Sequence, residues 1–350
     1  MHMDQPAANQ IHDNGRWGMS GHWPCPIVVA GDGGFANTCR LATNIRQLAL
    51  FTATHMKEER GTMMIERLVV VGSGVMGRGI AYVGAVGGFQ TTLVDVKQEQ
   101  LDSARSEITT IFEQAVARGK LTPGARQEAE MRLSYSLDLA AAVQEADLVI
   151  EAVPEKLELK KQVFETIDAH APASCYLATN TSTMSPTEIG SFTKRPERVI
   201  AMHFFNPVHK MKLVEIIRGL ETSDETAQVV KEAAERMGKE TVVVNEFPGF
   251  VTSRISALVG NEAFYMLQEG VGTPEEIDKA IKLGLNFPMG PFELADLVGL
   301  DARLNNLKYL HEKLGEKYRP APLLEQYVKA GRLGRKTGRG VYDYTNQKND

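Results

Sequence analysis

At 350 residues with 43% hydrophobic side chains, the chain has room for two ordinary domains and a sizeable core. Its 39 basic and 44 acidic residues leave a net charge of −5. That balance excludes a nucleic-acid binder working through a general basic field and leaves room only for local basic pockets. No apolar run approaches the ~20 residues of a membrane span, and Cys25, Cys39 and Cys175 make neither a disulfide framework nor a metal-ligand spacing. A soluble, cytoplasmic protein without bound metal, nucleic acid or membrane is expected.

Composition changes near Met63. Residues 1–62 hold both tryptophans, two of the three cysteines and four of the eight histidines. Their five basic and five acidic residues cancel, so the net −5 belongs to residues 63–350. No charged stretch leads into an apolar one as in a secretory signal, and Asp4, Asp13, Asp32, Glu58 and Glu59 break the acid-poor character of a mitochondrial presequence. His22, Cys25 and Cys39 match no zinc spacing. Lys57-Glu58-Glu59 can be encoded by a purine-rich ribosome-binding sequence, with Arg60, Gly61 and Thr62 separating it from Met63. Residues 1–62 are therefore expected to be an extension, disordered or a start-site artefact.

Ile65–Val71 is a β-branched run of the kind that forms a buried parallel strand. It leads into Gly72-Ser73-Gly74-Val75-Met76-Gly77 and a small-residue helix, then a second strand, Thr91–Val94, ending in Asp95. In that context the glycines permit a tight turn, close approach of backbone to a pyrophosphate, and close helix packing. The pyrophosphate would sit on the N–H groups of the helix start. Asp95 is placed to accept hydrogen bonds from the adenosine ribose, and its charge would repel a 2′-phosphate, which favours NAD over NADP.

Leu101, Ala104, Ile108, Ile111, Phe112 and Ala115 fall at helical spacing. After Gly119, Pro123 and Gly124 a second helix over 125–133 makes a helical hairpin. Strands are expected at 148–153, 176–179, 199–203, 213–217 and 241–244. The fold class is α/β, a doubly wound Rossmann-type sheet with a helical hairpin insertion. Beyond Phe247-Pro248-Gly249, helices over 250–268, 274–283 and 291–310 predict an all-helical C-terminal domain. The expected division is 1–62, 63–247 and 248–350.

Polar clusters follow two strands: Asn180-Thr181-Ser182-Thr183 and His203-Phe204-Phe205-Asn206-Pro207. Ligands of open α/β sheets bind outside the carboxyl ends of strands. An imidazole there, with Glu215 to fix its tautomer, suits the general acid/base of alcohol–ketone interconversion. A lone histidine at a strand end is also common as a structural residue; the carboxylate and the cofactor fold favour catalysis. Phe204, Phe205 and Phe250 read as core.

With these residues in place, the chain resembles the 3-hydroxyacyl-CoA dehydrogenase family, its bacterial 3-hydroxybutyryl-CoA members in particular. The resemblance runs from Met64 to Tyr344 and rests on Gly72–Gly77, 151–155 (EAVPE), Asn180–Ser182, His203–Pro207, 211–217, 248–250 (PGF), 288–291 (PMGP) and 334–338 (GRKTG). It implies reversible NAD-dependent oxidation of a short 3-hydroxyacyl-CoA, such as 3-hydroxybutyryl-CoA, in fatty-acid or butanoate metabolism. It further implies His203 as base, Glu215 as its partner, and Ser182 near the substrate oxygen. Glu155, Lys160 and Asn180 would lie at the cofactor and Lys120 near the coenzyme A phosphates, with Asn206 also among the substrate contacts and a homodimer as the assembly. Where many members carry an asparagine near the thioester, this chain has Ser253. Its hydroxyl either supports the thioester or is only a small packing residue. A same-fold dehydrogenase of a non-CoA hydroxy acid and a non-catalytic NAD-binding protein are the rival readings.

Overall fold

The computed structural model describes residues 65–345, so the expectations for residues 1–62, the His22/Cys25/Cys39 group among them, lie outside the described residues. Eight strands form one sheet: β1 (Arg67–Val71), β2 (Gln90–Val94), β3 (Leu133–Ser136), β4 (Leu148–Glu151), β5 (Tyr176–Thr179), β6 (Val199–Phe204), β7 (Leu213–Arg218) and β8 (Glu240–Asn245). Their spatial order is β3-β2-β1-β4-β5-β6-β7-β8. All neighbours pair in parallel except β6 and β7, which run antiparallel.

The continuous apolar run of β1 follows from burial on both faces. Leu68 and Val70 point into a cluster with Ile80, Leu93 and Ile150, while Val69 and Val71 join Val149, Phe164 and Ile167 on the other side. The helix after the glycine loop is α1 (Val75–Val86), and the hairpin is α2 (Gln98–Ala117) with α3 (Pro123–Met131). Leu101, Ala104, Ile108 and Phe112 are buried in the sheet's own core, with the Phe112 ring 4.7 Å from that of Tyr82 in α1.

Residue 133, expected at the end of a helix, instead opens β3. This edge strand is half-buried and pairs with β2 from Leu133 to Ser136. Thr92 and Ser134 share a hydroxyl–hydroxyl bond of 2.8 Å, and the Arg105 guanidinium lies 4.4 Å from the Tyr135 ring centre. Short helices α4 (Leu139–Ala142) and α6 (Pro186–Gly190) and longer α5 (Leu157–His170) and α7 (Asp224–Arg236) complete the layers.

Past β8 come α8 (Thr252–Gln268), α9 (Pro274–Gly284), α10 (Pro291–Val298), α11 (Leu300–Leu314) and α12 (Pro322–Lys329). They bury Phe264, Phe292, Leu304, Leu307 and Leu324 in a separate core. The single helix expected over 291–310 is two helices, because Gly299 has φ +105, a conformation that L side chains rarely adopt. Two left-handed residues, Gly249 (φ +78) and Phe250 (φ +47), turn the chain from β8 into α8. Phe250 is buried against Ala201 and Ile217, and Phe204 lies in the main core, as expected. Among the described residues no helix is long and apolar enough to cross a membrane, and no group of three acidic, histidine or cysteine side chains is placed to hold a metal.

Candidate active site and cofactor site

The glycine loop links β1 to α1. Gly72 has φ +98, and a Cβ there would meet Ala152 O at 2.8 Å; one on Gly77 would fall 1.7 Å from Gly72 O. Both positions exclude any side chain. Gly74 differs: it caps α1, no side chain satisfies the helix start, and nothing lies within 4 Å of its missing Cβ. The N–H groups that follow, at Val75, Met76 and Gly77, face a cradle a phosphate pair fits. At the end of β2, Asp95 accepts bonds from Ser73 N (2.9 Å) and Ser73 Oγ (2.8 Å) through Oδ2, and from Lys97 N (3.2 Å) through Oδ1. The glycine loop thus fixes this carboxylate beside itself. These residues fit a dinucleotide.

His203 and Glu215 face each other across β6 and β7 in direct register. Opposed residues of an antiparallel pair bring their side chains within reach, and Nδ1 of His203 lies 2.8 Å from Glu215 Oε2. Both side chains are buried. The carboxylate is held from a third side by the first residue of α8: Thr252 N donates to Oε1 (2.9 Å) and Thr252 Oγ1 to Oε2 (3.0 Å). Burial raises the Glu215 carboxyl, but the bonds from His203 and Thr252 outweigh it and hold it below the ordinary value. The free N–H of a helix start adds the favourable end of its dipole. Because an ionised carboxylate only accepts, Nδ1 carries a proton and Nε2 is left as the acceptor.

A second network supports the neighbouring strand ends. Lys160, 1% exposed, reaches Glu151 Oε1 and Oε2 at 2.8 and 2.9 Å and Glu155 Oε2 at 2.9 Å. Glu155 Oε1 then accepts from Thr181 Oγ1 and from Ser182 N (3.0 Å). Ser182 itself is exposed. Asn180 donates its backbone N–H to Glu151 O (2.7 Å), and its Oδ1 accepts from Phe204 N (3.0 Å), which ties the end of β5 to the residue after His203. Glu155, Lys160, Asn180 and Ser182 therefore converge on the carboxyl ends of β4, β5 and β6, the side where His203 stands.

Three further expected residues take no part in the hydrogen bonds just described. Lys120 is exposed in the turn after α2; with Lys210, Lys239 and Arg118 it adds to burial in pulling the His209 imidazole below its ordinary value. Asn206 is exposed in the turn after β6. Ser253 is half-buried in the first turn of α8 and its hydroxyl makes no hydrogen bond to a described residue, whereas its neighbour Thr252 makes two bonds to Glu215. The sequence alone puts Thr181 in a polar cluster and Glu151 in a motif without giving either a role, and Thr252 in neither. A helix start after Pro248-Gly249 was the available signal for Thr252, since free N–H groups there seek an acceptor.

Comparison with known proteins agrees with this architecture. The model of the 3-hydroxyacyl-CoA dehydrogenase NAD-binding domain matches residues 67–247, and that of the 3-hydroxyacyl-CoA dehydrogenase C-terminal domain matches 249–344. A probable 3-hydroxybutyryl-CoA dehydrogenase of Bacillus subtilis is 48% identical over 283 residues, covering 81% of this chain and 98% of its own. The 3-hydroxybutyryl-CoA dehydrogenase of Bradyrhizobium diazoefficiens is 44% identical, covering 81% and 97%. The crystal structure of (S)-3-hydroxybutyryl-CoA dehydrogenase from Ralstonia eutropha is 41% identical with a TM-score of 0.78, covering 80% of this chain and 99% of that one. The chain belongs to the 3-hydroxyacyl-CoA dehydrogenase family, and its cofactor is NAD.

Proposed function

We propose that the enzyme interconverts a short 3-hydroxyacyl-CoA, such as 3-hydroxybutyryl-CoA, and the 3-oxoacyl-CoA, with His203 and Glu215 as the acid/base pair. The observation that carries this reading is the buried pair itself: Nδ1 is occupied by Glu215 at 2.8 Å, which leaves Nε2 for the substrate. NAD bound on the glycine loop supplies the hydride acceptor. In the oxidative direction Nε2 takes the proton of the 3-hydroxyl as the hydride leaves C3, and the Glu215 carboxylate stabilises the imidazolium that forms. In the reverse direction the same nitrogen returns the proton to the carbonyl oxygen. Ser182, whose N–H is pinned by Glu155, offers its hydroxyl to that oxygen. Lys120 serves the coenzyme A phosphates, Asn206 the substrate and Ser253 the thioester. Residues 63–247 bind the cofactor, and residues 248–350 close the cleft and pair two subunits.

His203→Ala tests the mechanism. With acetoacetyl-CoA and NADH, kcat should fall by about two to four powers of ten, the range for loss of a general acid/base, while NADH binding, followed by fluorescence, is retained. Near-normal turnover would remove His203 from the reaction.

A further inference from the structure

The Glu215 carboxylate has more donors than its position requires. Its Oε1 takes the backbone N–H of Thr252 at 2.9 Å, and its Oε2 takes the Nδ1–H of His203 at 2.8 Å. One donor on each oxygen already fixes a planar carboxylate. Thr252 Oγ1 adds a third bond of 3.0 Å, and it goes to Oε2, the oxygen that serves the imidazole. A carboxylate only accepts, so the hydroxyl donates. Two donors on one oxygen share its charge, and each bond is weaker for the presence of the other. Of the described elements packed against the pair, the segment after β6 contributes the Phe205 ring, 4.5 Å from that of His203, and the turn into α8 contributes the Phe250 ring, 5.9 Å away. From β8 the residue in register with Glu215 is Val242. None of these three side chains titrates, so the hydroxyl is the polar side chain that joins His203 on this carboxylate. It comes from the helical part of the chain: Thr252 opens α8, and the left-handed Gly249 and Phe250 turn it toward β7.

We propose that Thr252 is a positioning residue whose hydroxyl sets the pH range of the His203–Glu215 pair, by drawing charge from the carboxylate and so leaving the imidazole a weaker base. The backbone N–H places the carboxylate and the hydroxyl tunes it. Without the hydroxyl, Oε2 would keep its full charge for Nδ1–H, the imidazolium would be better stabilised, and Nε2 would hold its proton to higher pH. Oxidation needs Nε2 free and reduction needs it protonated. The hydroxyl therefore extends oxidation toward lower pH and trims reduction on the alkaline side. The proposal rests on the acid/base reading above and adds what fixes its pH dependence.

Thr252→Val tests it, since it removes the hydroxyl but keeps the backbone N–H and the branched shape. The pH profile of kcat/KM is measured in both directions, as 3-hydroxybutyryl-CoA oxidation with NAD and acetoacetyl-CoA reduction with NADH. The acid limb of oxidation and the alkaline limb of reduction should both move up by about half to one pH unit. That is roughly a three- to ten-fold change in the proton equilibrium, a fraction of the worth of a hydrogen bond to a charged group. Thr252→Ser, which restores the hydroxyl, should return both limbs to their wild-type positions. A threonine with a structural role alone would lower the plateaus and leave the limbs in place. Limbs that stay where they are in Thr252→Val, or that move down, overturn the proposal. Should the valine variant fail to fold, Thr252→Ala, which removes the hydroxyl without setting a new methyl beside the carboxylate, carries the same test with the same outcomes. If His203→Ala keeps near-normal turnover, the acid/base reading fails instead, so the two failures are distinguishable.

Discussion

Replacing Glu215 by glutamine changes one atom, and the structure says what that atom does. Glu215 Oε1 accepts from Thr252 N at 2.9 Å, and a backbone N–H has no second way to serve. The amide of Glu215→Gln must therefore turn its oxygen to Thr252 N and its NH₂ toward Thr252 Oγ1 and His203 Nδ1. The hydroxyl can become an acceptor, but Nδ1 of His203, now facing a donor, must give up its proton. The imidazole is pushed into the other tautomer, with Nε2 protonated and unable to take the 3-hydroxyl proton. The fold, the NAD cradle and the volume of the site are all preserved. The loss in kcat should therefore approach that of the missing imidazole, about two to four powers of ten or ~3–5 kcal/mol of barrier. The assay is 3-hydroxybutyryl-CoA oxidation followed by NADH absorbance, with NAD affinity measured separately. A Glu215→Gln enzyme within three-fold of the wild-type kcat would show that the carboxylate does not set the tautomer of the base.

Asp95 is held beside the glycine loop by Ser73, so a 2′-phosphate would meet a fixed negative charge. Unit charges 4 Å apart near a protein surface repel by about 4 kcal/mol; kcat/KM with NADH should exceed that with NADPH at least one-hundred-fold, and Asp95→Asn should narrow the gap by ten-fold or more. An unchanged ratio in the variant would place the ribose elsewhere. At Ser253 two substitutions are expected in opposite rank order. If the hydroxyl supports the thioester, Ser253→Ala should lower kcat/KM about five- to thirty-fold and Ser253→Asn should be tolerated; if the serine only packs, alanine will be neutral and asparagine harmful.

Much of this architecture is legible in the chain because local signals and tertiary roles coincide. The strand, glycine loop and helix around Gly72–Gly77 announce themselves by β-branched residues followed by positions where a Cβ would strike backbone. His203 and Glu215, twelve residues apart, find each other because the antiparallel return through residues 205–212 sets them in register. Other features lie outside local pattern. β3 is four residues of alternating character directly after a helix, too short for its period to stand out. The break at Gly299 looks like an ordinary glycine in an apolar stretch until α10 and α11 require different axes. Thr252 places Glu215 through its backbone N–H, a group every residue but proline carries, and only the two left-handed residues before it aim that group at Glu215.

Reduction of acetoacetyl-CoA by NADH, measured beside free acetoacetate at equal concentration, tests the central claim most directly. The His203–Glu215 pair supplies the proton in either case, so the comparison isolates the role of the coenzyme A handle. Proximity gained from binding remote parts of a substrate accelerates the reacting end, and the thioester should exceed the free acid in kcat/KM by at least one-hundred-fold. Equal rates on the two substrates would contradict the account.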